Sequence, residues 1–191
     1  MIRAMKLLKK FKQDILDCLA QLRSDERGVS AVEFALLLPL MVALYLGTVE
    51  ISQAISADRK VTLTSRTVAD LISQVSSINN AGMTDVLNAS SSVMAPFKTT
   101  TLKVVVTCVS IDANGKATVT WSDTFNGTAR SVGSTVTVPT ALNIANSTLI
   151  WSEVSYVYTP AIGYIITGSM TLKDQLYMAP RLSTSVSRTA T

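Results

Sequence analysis

The residues of this chain that could carry chemistry stand together at the entrance to a long apolar run. Glu33 follows Gly28 by five positions, and residues 34–49 contain no charged side chain. An ionisable group at the start of an apolar helix is costly in a bilayer and marks a candidate functional site. Gly28 has no side chain, so an extended backbone could enter a protease cleft there. The pattern predicts cleavage between Gly28 and Val29, on the cytoplasmic side, by a prepilin peptidase.

Other kinds of chemistry find little support in the composition. The chain has 191 residues, two cysteines and no histidine, which excludes a histidine-dependent triad and a zinc site built on imidazole. The sequence contains no Ser-x-x-Lys pattern and no phosphate-binding glycine loop. We therefore expect no enzyme activity, no metal site, no cofactor and no small-molecule substrate.

The positive charge of the chain is concentrated ahead of the apolar run. Net charge is +4, and residues 1–28 hold seven basic against four acidic side chains. Basic residues stay on the cytoplasmic side of a span, so the C-terminal body is predicted to be exported. Residues 5–23 show helical periodicity, which suits either a membrane-surface helix or a solvated leader. No basic cluster with interleaved aromatics follows, so no nucleic-acid binding is expected.

Residues 29–51 are predicted to form a single transmembrane helix. As a helix they are about 34 Å long, enough to cross the lipid bilayer with some tilt. Pro39 lies inside the segment and predicts a local kink, because it removes one backbone donor. The small residues of the segment, with Pro39, suggest either a helix-packing seam or ordinary membrane composition: Ala31, Ala35, Pro39, Ala43 and Gly47.

The remaining pattern predicts an α+β fold with a helical part and a β-rich part. Helical periodicity continues to about residue 79, with Gly82 as a left-handed cap and a second helix running from Thr84 to Met94. The chain is therefore predicted to begin with three parts, which are a leader of residues 1–28, the span of residues 29–51 and an exported helical part of residues 52–96.

A small antiparallel β-sheet domain is predicted over residues 97–191. The strands are expected as a hairpin within residues 99–125, then at 148–158 and 170–177, with a short helix from Pro139 to Asn146 and a polar tail at 183–191. Cys108 is expected as a small buried residue in a strand. The strand aromatics are expected to pack on the helical stripe of residues 61–78: Trp121, Trp151, Tyr156 and Tyr158.

Residues 26–40 closely resemble the TadE-like pseudopilins of the tight-adherence (Flp) pilus system. Glu50 and residues 66–71 fit the same family, and residues 156–160 and 177–181 look like its C-terminal elements. The N-terminal motif is partly shared with TadF- and TadG-like relatives, although the modest length disfavours the large TadG type.

The resemblance implies a minor pilin-like subunit of the inner membrane that is needed for building adhesive Tad pili. A prepilin peptidase would cut Gly28–Val29, and a TadF-like pseudopilin and the pilus secretion platform would be partners. Glu33 would then pair with the new ammonium group of Val29, in the same subunit or a neighbouring one, because opposite charges attract strongly in a low dielectric.

Two other interpretations follow from the same residues. The first is a secretory protein with a long signal peptide, cut after the small residues Ala54-Ile-Ser56 to begin at Ala57. The second is an uncut, membrane-anchored periplasmic binding protein, such as an adhesin. The first residue of the mature protein, Val29, Ala57 or Met1, distinguishes the three.

Overall fold

The computed structural model describes residues 26–163 and 167–189, so the helix expected over residues 5–23 lies outside the described residues. Helix α1 spans Glu26–Ser73 and continues through Pro39. The chain divides after Thr48 into two units, and the second begins at Val49 within the same helix.

Helix α1 ends earlier than its sequence pattern predicts. Ser77–Ile78 form strand β1, which pairs in parallel with strand β6, Ser187–Arg188. The main-chain pairing of β1 with a distant segment therefore overrides the apolar spacing that suggested helix to residue 79. The prediction of a polar tail over residues 183–191 is also wrong, because β6 belongs to a sheet and Val186 is 1 % exposed.

The second helix, α2, spans Asn80–Val93 and begins at a side-chain cap. The side-chain oxygen of Asn79 accepts a hydrogen bond of 2.8 Å from the backbone N–H of Gly82, which satisfies one of the unpaired donors of the first turn. The predictions of Gly82 as a C-terminal cap and of Thr84 as the helix start are therefore wrong. The predicted end of this helix near Met94 is confirmed.

Four strands form the main sheet: β2 Leu102–Ile111, β3 Ala117–Phe125, β4 Ser147–Tyr158 and β5 Met170–Met178. They are antiparallel and lie in the order β3-β2-β4-β5. This arrangement, with the two helices, confirms the predicted α+β class. A short 3-10 turn, Thr140–Leu142, stands where a helix of residues 139–146 was predicted.

The main core lies between the helices and one face of this sheet. Val61, Val68 and Ile72 of α1 are fully buried in a cluster that also contains Trp121 and Tyr156. Apolar side chains on α1 and on alternate strand positions form this core, which stabilises the fold by removing apolar surface from water. Packing on the helical stripe is thus confirmed for Trp121 and Tyr156, and Tyr158 belongs to the same cluster.

Trp151 packs on the opposite face of the sheet, contrary to the prediction. Successive side chains of a strand point to opposite faces, so Trp151 and Tyr156 of β4 cannot share one. Trp151 lies in a second cluster with Val109 and Leu149, which Val138 from the connection between β3 and β4 joins. Cys108 is a free, fully buried thiol in β2, as predicted.

Candidate functional site: the apolar anchor and the base of the sheet

The apolar segment of α1 leaves its side chains uncovered. Its large apolar residues, from Val29 to Tyr45, are between 43 % and 75 % exposed. A contiguous apolar surface of this extent is a place where a membrane or a partner binds. The helix is long and apolar enough to cross a membrane, and its most apolar window is 0 % buried. It therefore fits a single-pass membrane anchor and not the covered core helix of a soluble protein.

The predicted processing residues lie in the first turns of this helix. Gly28 is exposed, and a Cβ added there would meet no atom within 4 Å. The fold itself therefore makes no demand for glycine at this position. Val29 and Glu33 are also exposed, and their spacing of four puts them on the same side of a helix, about 6 Å apart along its axis.

The five residues predicted for transmembrane packing recur at intervals of four along α1. Ala31, Ala35 and Pro39 are exposed, Ala43 is half-buried and Gly47 is buried. Small residues at this spacing allow close approach of a second helix. The use of this row as a packing seam stays a prediction.

Glu50 is buried where the second unit begins. Its residue exposure is 2 %, and its charge acts on the nearby Tyr158. Burial raises the pKa of Tyr158, and the negative charges of Glu50 and Tyr156 raise it further. Phe97 contacts both rings, with centroids 6.2 Å from Tyr158 and 6.4 Å from Tyr156. The structure thus joins Glu50 to residues 156–160, two segments that the family resemblance had singled out separately.

The other two resembling segments also meet. Arg181 Nη2 lies 2.6 Å from Asp70 Oδ1, and the backbone N–H of Arg181 donates to the carbonyl of Ser73 at 2.8 Å. The last carbonyls of a helix lack intrahelical partners, so this bond closes the end of α1. Residues 177–181 therefore fix the C-terminal end of α1, which no spacing in the sequence could have shown.

Arg130 organises the outer face of the sheet and was missed by sequence reasoning. Its guanidinium lies 3.8 Å from the ring centroid of Trp151, forms an ion pair with Glu153, and donates to Thr107 Oγ1 at 3.2 Å. Trp151 stacks in turn on Tyr177, with centroids 5.1 Å apart. No cluster of metal-ligating residues occurs among residues 26–163 and 167–189. The charged and aromatic groups around Arg130 are each other's partners. We call this set the Arg130 brace, because it ties the loop that carries Arg130 to the sheet.

These features define a class of protein, an α+β domain carried directly on a helix that is long and apolar enough to anchor it in a membrane. A family model described as TadE-like protein matches residues 28–70. The match falls on the N-terminal segment whose residues indicated this resemblance, and it supports a minor pilin-like role associated with the Tad pilus. No curated protein and no solved structure matches the chain.

Proposed function

We propose that this protein is a minor pilin-like subunit, processed by a prepilin peptidase and needed for the assembly of adhesive Flp/Tad pili. It works with a TadF-like pseudopilin and the secretion platform. The leader stays in the cytoplasm, α1 crosses the inner membrane, and the sheet domain is periplasmic or pilus-associated. The observation that carries the proposal is the TadE-like match over residues 28–70, which begins at Gly28, the residue predicted to precede the cut.

Processing requires the first turn of α1 to open. The first N–H groups of a helix have no intrahelical acceptor, so this turn frays at low cost and the peptide can enter the protease in extended form. Hydrolysis consumes one water, leaves a carboxylate on Gly28 and creates an ammonium group on Val29. The anchor that remains in the membrane then begins with a positive charge.

The new ammonium group and Glu33 form the assembly element. Two opposite unit charges 4 Å apart attract by about 1 kcal/mol in water and about 4 kcal/mol at the effective dielectric of a protein surface. A lipid environment strengthens this pairing further, whether the ammonium belongs to the same subunit or to a neighbour. The uncleaved precursor lacks the ammonium, so cleavage would control when pairing can occur.

Replacement of Gly28 tests the processing step. Gly28→Val is expected to block cleavage without disturbing the fold, because no neighbouring atom lies within 4 Å of an added Cβ. Thr48→Val places the same side chain elsewhere on α1 and serves as the control. The measurement is N-terminal sequencing of protein extracted from the membranes of cells that make the wild-type or the variant chain. A wild-type chain that begins at Met1, or a Gly28→Val chain cut like the wild type, contradicts the proposal.

Replacement of Glu33 tests the assembly step. Glu33→Ala and Glu33→Gln are expected to insert into the membrane normally and to abolish piliation. Asp58→Asn removes an exposed carboxylate from the same helix beyond the span, and it should leave pili unchanged. Membrane insertion is read by resistance to carbonate extraction, and pili by electron microscopy. Normal piliation with Glu33→Ala would overturn the role of this residue.

The alternative of an ordinary signal peptide conflicts with the packing of α1. Ala57 and Val61 are fully buried in the core, and Glu50 is buried in the same unit. A cut before Ala57 would remove residues 49–56 from that unit and start the mature chain inside the core. This packing favours a mature chain that retains the whole exported part of α1.

A further inference from the structure

The sheet domain follows the predicted span without a spacer. Glu50 is already buried, and Ile51 is the last residue of the span. Two loops at this end of the sheet, residues 95–101 and 159–163, are called the basal loops here. Pro96 and Phe97 line a cavity of about 470 Å³ with the helix residues Ser52, Gln53 and Ser56.

The depth of the basal loops follows from the helical rise. At 1.5 Å per residue, Gln53 and Ser56 lie about 3 Å and 8 Å beyond Ile51 along α1. The polar layer on each side of the hydrocarbon core is about 5 to 8 Å thick. Because the basal loops line cavities together with these helix residues, a bilayer around the predicted span would bring them to the depth of the lipid headgroups.

The composition of the basal loops suits this depth. Lys98 is exposed and is their only charged residue, and Ile162 is 49 % exposed. Phe97 is half-buried and meets Tyr158 edge to face. Aromatic side chains are enriched at both membrane interfaces, and an exposed lysine ammonium group can form a charge-assisted hydrogen bond to a lipid phosphate.

A second cavity between the basal loops is lined by residues that carry hydrogen-bond donors. It has a volume of about 420 Å³ and is lined by Gln53, Lys98 and Tyr158, among others. The hydroxyl of Tyr158 is buried and makes no hydrogen bond within the part of the chain that the structure describes. An ammonium, an amide and a hydroxyl together suit the oxygens of a phosphate ester.

We propose that the basal loops dock on the bilayer surface, with the phosphate of a phospholipid headgroup in the cavity lined by Gln53, Lys98 and Tyr158. Ile162 then lies at the boundary between headgroups and acyl chains. Docking fixes the orientation of the sheet domain on the membrane before the subunit is assembled. This inference rests on the membrane anchor of the proposed function and is independent of cleavage and of the role of Glu33.

The test measures the depth of single labels on the full chain in nanodiscs of phosphatidylethanolamine and phosphatidylglycerol. An NBD fluorophore is attached at Ile162→Cys, at Leu37→Cys in the span, or at Asn114→Cys in the exposed turn after β2. The background carries Cys18→Ser, while Cys108 is buried. The strand between the basal end and Asn114 is about 30 Å long at 3.3 Å per residue. Lipids with a nitroxide on the headgroup or on the acyl chain serve as quenchers.

The expected result is loss of most NBD fluorescence at residue 162 with the headgroup quencher, and no loss at 114. If the acyl-chain nitroxide quenches the label at residue 37 while the label at residue 162 stays as bright as the label at residue 114, docking is refuted and the membrane anchor is still supported. Absence of quenching at residue 37 overturns the anchor and docking together. The N-terminal residue of the same preparation is determined separately. If the chain begins at Met1 and residue 162 is still quenched, cleavage is refuted and docking is supported.

Charge reversal tests the headgroup contact. Lys98→Glu is expected to abolish most of the quenching at residue 162, because it places a carboxylate against lipid phosphate. Lys116→Glu makes the same change at an exposed position beside Asn114 and should leave the quenching unchanged. Equal quenching in the two variants overturns the phosphate site. Circular dichroism of both proteins verifies that the sheet has formed.

Discussion

Arg188 holds the C-terminal segment to the rest of the second unit, and its removal should destabilise the fold measurably. Its Nε donates to Asp123 Oδ2 at 2.8 Å, and its Nη2 donates to Asn80 Oδ1 at 2.6 Å. The side chains of Arg188 and Asp123 are 19 % and 27 % exposed. Arg188→Ala would therefore leave the Asp123 carboxylate partly buried and without this partner, while β6 loses its main side-chain anchor.

The size of the effect follows from these contacts. A hydrogen bond to a charged group contributes roughly 1.5 to 3 kcal/mol, and partial exposure reduces the value for each contact. We expect Arg188→Ala to lower the free energy of unfolding by about 2 to 3 kcal/mol. For a unit of this size, about 3 °C of melting temperature corresponds to each kcal/mol, so the expected loss is about 6 to 9 °C.

Arg181→Ala is the matched control. The Arg181–Asp70 pair is 55 % and 40 % exposed, and such surface pairs contribute less than about 1 kcal/mol. The assay is thermal unfolding of the full chain in detergent, followed by near-UV circular dichroism. Trp121 is a suitable reporter, because its indole N–H donates to the carbonyl of Val186 beside β6 at 2.7 Å. A loss for Arg188→Ala no larger than that for Arg181→Ala would refute the reasoning.

Two further predictions concern buried groups of the sheet. Burial raises the pKa of Cys108 from 9.0 to about 11, so the unfolded thiol ionises first and stability should fall as pH rises from about 9 to about 11. Urea midpoints across this range should fall less steeply for Cys108→Ala, and an equal slope would contradict the assignment. Arg130→Lys should cost about 1 kcal/mol, because lysine lacks the planar group that stacks on Trp151 and pairs with Glu153. Urea midpoints followed by tryptophan fluorescence measure this loss, and an unchanged midpoint would contradict the brace.

Local sequence signals predicted most of the strands. The β-branched residues of β2 and the Asn-Gly pair after it predicted a hairpin, and Gly115 has the positive φ of +78° that such a turn uses. The pairing of β2 with β4 was not predicted, because it depends on contacts between residues far apart in the chain. The two-residue strands β1 and β6 carry too short a pattern to be recognised.

The residues of the candidate site also divide into those that the sequence pattern singled out and those that only the structure revealed. Gly28, Val29 and Glu33 could be proposed from the sequence because their signal is a short spacing next to an apolar run, and their roles stay predictions. The burial of Glu50 against the base of the sheet needed the structure, since its partner strand lies about a hundred residues away. Arg130 left no signal at all, because a single arginine in a polar loop is usually solvated.

The burial of Glu50 accounts for a domain that begins directly after the predicted span. A carboxylate in the last turn of a spanning helix is costly if it faces lipid, and here the sheet end with Tyr158 covers it instead. A flexible linker after Ile51 would leave that carboxylate at the edge of the hydrocarbon without cover. The same helix therefore leaves its large apolar side chains exposed from Val29 to Tyr45 and carries buried residues in the second unit from Glu50 onward.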